Sequence, residues 1–183
     1  MSVETIPTGL TVGTWTLDNS HSQIGFTVRH AGISKVRGEF TEASGTAVVG
    51  EDLNSSSVQA TIKAASFDSG DANRDGHVRG EDFFDVEQFP ELSFTSTGIS
   101  GSGETYQLTG DLTIRGITKP VTFDTEFNGV AVDPFGNTRA GFSAQTVISR
   151  KEFGLTWNAA LEAGGVLVGD KVTIGIEAEF TAA

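Results

Sequence analysis

Asp71 to Asp82 reads DANRDGHVRGED. Oxygen-bearing side chains recur there at every second place, as Asp71, Asn73 and Asp75, followed by Gly76 and closed by Asp82. These residues fall on positions 1, 3, 5, 6 and 12 of an EF-hand calcium loop, with Val78 as the apolar residue inside it. Calcium chemistry needs more than that spelling. The preceding segment, VQATIKAASFDS, alternates like a strand, so the entering helix that would hold such a loop is missing. Asp82 is shorter than the Glu that reaches calcium with two oxygens, and Glu81 is out of register. Arg74 and Arg79 add cations to a loop that should attract one. The expectation is therefore no metal, and an acidic, glycine-turned loop whose Asp and Asn cap a short helix.

The histidines are the next candidates. There are three, His21, His30 and His77. His21 and His30 are an odd number of residues apart. On a straight strand they point to opposite faces, about 30 Å apart end to end, and cannot share an ion. Asp18, His21 and Ser22 hold the residue types of a hydrolytic triad, but no nucleophile elbow surrounds them. DNSHS reads instead as a turn held by side-chain-to-backbone hydrogen bonds. GSG at 101–103 sits between strands and lacks the context of a phosphate loop. With no cysteine, thiolate zinc sites, disulfides and thiol nucleophiles are excluded. No catalytic residue is assigned.

The elements that would position any site are strands. In QIGFTVRH, Ile24, Phe26 and Val28 share one face, and His30 continues their register. Phe40, Ala47 and Val49 follow on a segment that Gly45 is expected to bend. Ile62 belongs to SVQATIKAASF, Phe94 to ELSFTSTGIS, and Leu112 and Ile114 to YQLTGDLTIRG. Phe123 lies in KPVTFDTEF, Phe142 and Ile148 in RAGFSAQTVISR, and Ile174 and Ile176 in DKVTIGIEAEF. About eight strands with one apolar face predict an all-β sandwich or barrel. From Asp71 to Pro90 the alternation stops. Phe83, Phe84, Val86 and Phe89 have the spacing of a helical turn or two. Residues 1–12 are polar and turn-rich and are expected to form a loose arm, with one domain over 13–183.

A net charge of −12 repels phosphate backbones and anionic membrane faces, so neither nucleic acid nor a stable membrane anchor is expected. MSVETIPTGLTVG carries no positive region leading into an apolar one, and a cytoplasmic location is expected. Whether a homodimer forms is left open. His30 and Arg150 each continue an apolar row at a strand end. There they would sit either in solvent or on the polar rim of an apolar cavity, ready for a ligand head group.

Four ordered blocks resemble the YceI-like family: WTLDNSHSQIGFTVRHAGISKVRGEF, RDGHVRGEDFFDVEQFPELSFTST, LTGDLTIRGITKPVTFD, and RKEFGLTW with LVGDKVTIGIEAEF. The resemblance runs from Trp15 almost to the end of the chain. It implies an eight-stranded, antiparallel, lipocalin-like barrel with a short helical insert around residues 72–90. The implied ligand is a polyisoprenoid or quinone lipid in an apolar lumen, with no other cofactor. The family motif falls on Asp18, His21, His30, Arg74, Asp75, His77, Phe83 and Phe84, with Val78 where Leu is usual. Phe83, Phe84 and Trp157 then join the cavity wall, and Arg74 and His77 join His30 and Arg150 at the rim. Two functional readings follow. One is a carrier of such a lipid. The other is an enzyme acting on it, with His30 or His77 as acid–base.

Overall fold

Alternating apolar and polar side chains carry most of this chain into strands. The computed structural model describes residues 4–159, 161 and 165–183. Its strands are β1 (Gly13–Leu17), β2 (Gln23–His30), β3 (Ser34–Phe40), β4 (Ala43–Val49), β5 (Ser57–Lys63), β6 (Phe67–Asp68), β7 (Glu91–Ser102), β8 (Thr105–Ile114), β9 (Ile117–Val132), β10 (Thr138–Ser149) and β11 (Val168–Ala182). α1 (Ala72–Arg79) is the one α-helix among the described residues.

These strands form eight rows of a closed antiparallel barrel, as the family resemblance implies. β11 closes it. Its last residues pair with β1, Leu17 opposite Phe180, and its earlier residues pair with β2, Ile24 opposite Ile176. β1 and β2 are thus halves of one row. β3 and β4 form the next row, and β5 and β6 the third. The rows break side by side. The Asn19 amide donates to Thr41 O at 2.9 Å and accepts from Ala43 N at 3.0 Å, and Thr41 N donates to Ser66 O at 3.1 Å. The second row therefore bends at Thr41–Glu42. Gly45, expected at the bend, lies in regular register opposite Ala60.

From β7 to β11 each strand pairs antiparallel with its predecessor. The β8–β9 turn places Arg115 and Gly116 at φ 50° and 73°, the left-handed pair of a type I′ turn. The pairing of β9 with β10 starts only at Asp124 opposite Gln145. Before it, Pro120 stands opposite Asp111 of β8 in a pair that is not hydrogen-bonded. The position of its missing N–H faces β10, so Pro120 ends the ladder on that side. The two strands splay there.

The described part of the expected loose arm is packed. Pro7 is buried, and Ile6 and Leu10 lie against the cluster of Trp15, Val49, Leu53 and Tyr106. Thr5 bridges Asp52, and Leu53 N donates to Glu4 O. The apolar residues within this polar stretch cover one barrel end, which we call the closed end. The helix occupies the first part of the expected insert. It spans the DANRDGHVR stretch, capped by the Asp71 carboxylate on Arg74 N at 3.0 Å, whereas Phe83 to Phe89 run through consecutive turns.

Candidate cavity and its rim

Inside the barrel lies a cavity of about 660 Å³, within the usual range for a lipid or drug-sized ligand. Its wall is built from the inward face of each row. Ile24, Phe26 and Val28 face it from the first row, Phe40 from the second and Ile62 from the third. Phe94, Leu112, Ile114, Phe123, Phe142, Ile148, Ile174 and Ile176 line the remaining rows. Phe83 and Phe84 of the insert and Trp157 of the β10–β11 connection complete it.

Small residues opposite large ones keep the middle open. Ala60 stands opposite Phe94, and Ala144 opposite Ile176. Gly38 leaves room for the Phe26 ring, and Gly110 for the Phe94 ring. Phe26, Phe40, Phe67 and Phe84 contact one another, with Phe26 and Phe67 stacked at 4.9 Å. Several further residues also border the hollow. Trp15, Leu17, Tyr106 and Phe180 surround it near the closed end, and Val36, Leu155 and Val172 toward the other. Period-two parity with their neighbours was the signal for the strand residues. Burial pushes the Tyr106 hydroxyl above its ordinary pKa, and it donates to Gly103 O at 2.9 Å.

At the end opposite the N-terminal segment, exposed polar residues border the same cavity: Arg29, His30, Asn73, Arg74 and His77. They mark its mouth. Their roles differ. His30 is exposed at the end of β2. Arg74 donates to the hydroxyl and carbonyl of Ser69, each at 2.8 Å. Asp75, buried, accepts from the Ser69 amide and hydroxyl. Arg79 donates to Ala65 O at 3.0 Å and to Phe67 O. Together these bonds pin the insert to the third row. His77 bonds Asp82 through Nε2 at 2.8 Å and sets its ring edge-on to Trp157 at 4.7 Å. It joins the insert to the β10–β11 connection.

Arg150 is not an exposed rim residue. It is 3% exposed, because the chain turns at Arg150–Phe153 and tucks the guanidinium under the connection to β11. Nε donates to Gly169 O at 2.8 Å, Nη1 to Leu155 O and Trp157 O, and Nη2 to Val168 O at 3.2 Å. Desolvation lowers its pKa, opposed by nearby Asp170. Arg150 borders the cavity and clamps the backbone carbonyls of the connection.

The candidate catalytic groups do not assemble. Ser20, not Ser22, meets His21, at 3.2 Å, and Asp18 meets it at 2.9 Å, but both touch the same nitrogen, Nδ1. A relay needs the two partners on opposite nitrogens. Asp18 is instead part of an ion-pair knot. Arg139 bonds Asp18 and Asp133 at 2.7 Å each and Glu179 at 3.3 Å. The Ser20 hydroxyl, then Arg139 and His21, hold Asp18 far below the usual carboxylate range. Arg139 leads the causes that lower Asp133 to about 2, and the two aspartates raise the Arg139 pKa in turn. In the calcium-like stretch, Asp71 caps the helix, Asp75 binds Ser69 and Asp82 binds His77, so their oxygens diverge. Among the described residues, no group of three His, Asp or Glu side chains converges on a metal position, and no helix is long and apolar enough to cross a membrane.

The chain is 37% identical over 170 residues to a UPF0312 protein of Staphylococcus aureus, covering 91% of this chain and 96% of that one. The crystal structure of Burkholderia cenocepacia BcnA superposes with a TM-score of 0.77 at 25% identity, covering 89% of this chain and 98% of that one. A polyisoprenoid binding domain from Saccharophagus degradans, implicated in plant cell wall breakdown, shares the fold with a TM-score of 0.72 at 12% identity, over 94% of this chain and all of that one. The family described as YceI-like domain matches residues 15–180, the whole barrel from Trp15 to Phe180, and this chain belongs to it.

Proposed function

We propose that this chain holds a long apolar lipid of the isoprenoid type, a polyprenyl or quinone chain, inside the barrel for carriage, storage or sequestration. The observation that carries the reading is the cavity of about 660 Å³, walled by aliphatic and aromatic side chains and opening at a polar rim. The fold shared with a domain that binds polyisoprenoid supports it. Each buried methylene contributes about 0.8 kcal/mol, so a five-carbon isoprene unit contributes about 4 kcal/mol. Association and chain ordering oppose binding by about 4 to 15 kcal/mol. A single unit barely offsets that cost, whereas several exceed it. The reading therefore favours long chains over short ones, and it requires no covalent chemistry.

Both tryptophans, Trp15 near the closed end and Trp157 near the mouth, border the cavity. A quinone quenches tryptophan emission. Titration with a long-chain quinone should give saturable quenching, and Trp157→Phe should leave Trp15 to report the deep end. A short-chain quinone should bind far more weakly. Equal quenching by both, or none, would count against an apolar lumen. The enzymatic reading rests on the His77–Asp82 pair at the mouth. Loss of turnover with retained binding in His77→Gln is its test.

A further inference from the structure

The net charge of −12 is spread unevenly along the barrel axis. The closed end carries Glu51, Asp52, Glu104, Glu126 and Asp133, and among the described residues its one Lys or Arg is Arg139, locked in carboxylates. The other Lys and Arg residues lie on strands, turns and the insert toward the mouth. On the β2–β3 hairpin Arg29 stands opposite Lys35, and Arg37 follows on the same outer face. Like charges placed opposite each other on a sheet repel. None of the three has a side-chain hydrogen bond or ion pair among the described residues. In a chain with 24 acids and 12 bases, three adjacent cations with no carboxylate partner among the described residues point to an anion outside the molecule.

Ile33 tops this hairpin at 87% exposure, beside Ala31 and Gly32 in left-handed conformations. Ala31 N donates to Leu167 O at 2.7 Å, which brings half-exposed Val166 toward the same edge. An apolar tip on basic shoulders is the chemistry of a segment that enters the interface of an anionic bilayer. The closed end offers the contrast. Phe135 is 89% exposed there, but Asp133 and its neighbours put an acidic field around it.

We propose that the mouth of the barrel docks on an anionic lipid bilayer through the β2–β3 hairpin, with Ile33 as the apolar tip and Arg29, Lys35 and Arg37 as the charged contacts. The hairpin side of the mouth, rather than the insert with its exposed Asp71, Glu81, Asp82 and Glu87, turns toward the lipid surface, and the remaining negative charge keeps the contact transient. Whole-chain charge, which argues against an anionic membrane face, averages over this polarity. What docking accomplishes, the passage of a lipid between bilayer and lumen, rests on the proposed function; the docking itself does not.

The test is flotation of the full chain with vesicles of equimolar phosphatidylcholine and phosphatidylglycerol, against pure phosphatidylcholine vesicles, with the lipid content of each protein extracted in parallel. The wild type should float with the anionic vesicles at low salt and be released at high salt. Each Lys or Arg near such a surface contributes a factor of about five, so R29Q/K35Q/R37Q should lose about a hundredfold in partitioning. Ile33→Asp should lose roughly tenfold or more, and Phe135→Ser should float like the wild type. Equal flotation with both vesicle types, a triple variant that still floats, or a Phe135→Ser loss matching that of Ile33→Asp would overturn the proposal. Flotation by a protein yielding no extractable lipid would leave the docking standing and remove the lumenal reading.

Discussion

At the scale of single residues, polar side chains here mostly hold the frame together. Arg150 is the strongest case. Arg150→Met would take the side-chain donor from Leu155 O, Trp157 O and Gly169 O, leaving Val168 O its bond from Asn158, and should destabilise the chain by about 3 kcal/mol, read from chemical denaturation. Arg150→Lys should recover only part of that, because one ammonium cannot span the fan of acceptors. The Arg139 knot predicts an acid dependence. Asp18 and Asp133 titrate below their ordinary value of 3.8 in the folded chain, Asp133 at about 2. Their contribution is therefore present above pH 4 and fades as pH falls toward and below 2. Arg139→Gln should lower the melting temperature at neutral pH and flatten its decline across that acid window, mainly through Asp133. Asp18 keeps the Ser20 hydroxyl, its largest support. Parity placed Arg150 on an inward row, but the clamp depends on a connection that folds back over it. The Asp18–Arg139 pair spans 121 residues, and no local pattern marks it.

Among elements, the insert is the part most directly tied to the mouth. Arg79 fastens it to Ala65 and Phe67, and Arg74 and Asp75 fasten it to Ser69. Arg79→Gln should raise hydrogen exchange across residues 69–89 and speed lipid release several-fold, leaving exchange in β8 to β11 unchanged. Equal loosening of the whole barrel would contradict that division. The strands were legible because Ile24, Phe26 and Val28, or Leu112 and Ile114, alternate without ambiguity. The breaks at Asn19, Thr41 and Ser66 were not, since the bonds that align them join separate rows. The helix formed where Asp and Asn were expected to cap one, with Asp71 on Arg74 N. The helical spacing of Phe83 to Phe89 gave consecutive turns instead, which send Phe83 and Phe84 to the wall.

The whole molecule is a barrel with one end packed shut, a hollow middle and a polar mouth. Strand count and alternation left a sandwich and a barrel open, and the family resemblance selected the closed barrel. The hollow could not be read from the sequence, because alanines and phenylalanines fill or leave space according to which ones face each other. Ala144→Phe tests this directly. In a solid core the added ring would cost about 1 to 3 kcal/mol by overpacking. In a hollow barrel it should leave stability within about 1 kcal/mol and cut lipid retention roughly tenfold, by occupying the space of the chain.

The most direct measurement is mass spectrometry of an organic extract of the purified full chain. The account predicts one apolar, isoprenoid-type lipid in near-equal amount to the protein, sharply reduced in Ala144→Phe. A clean wild-type extract, from protein that also fails to take up a long-chain quinone, would contradict it.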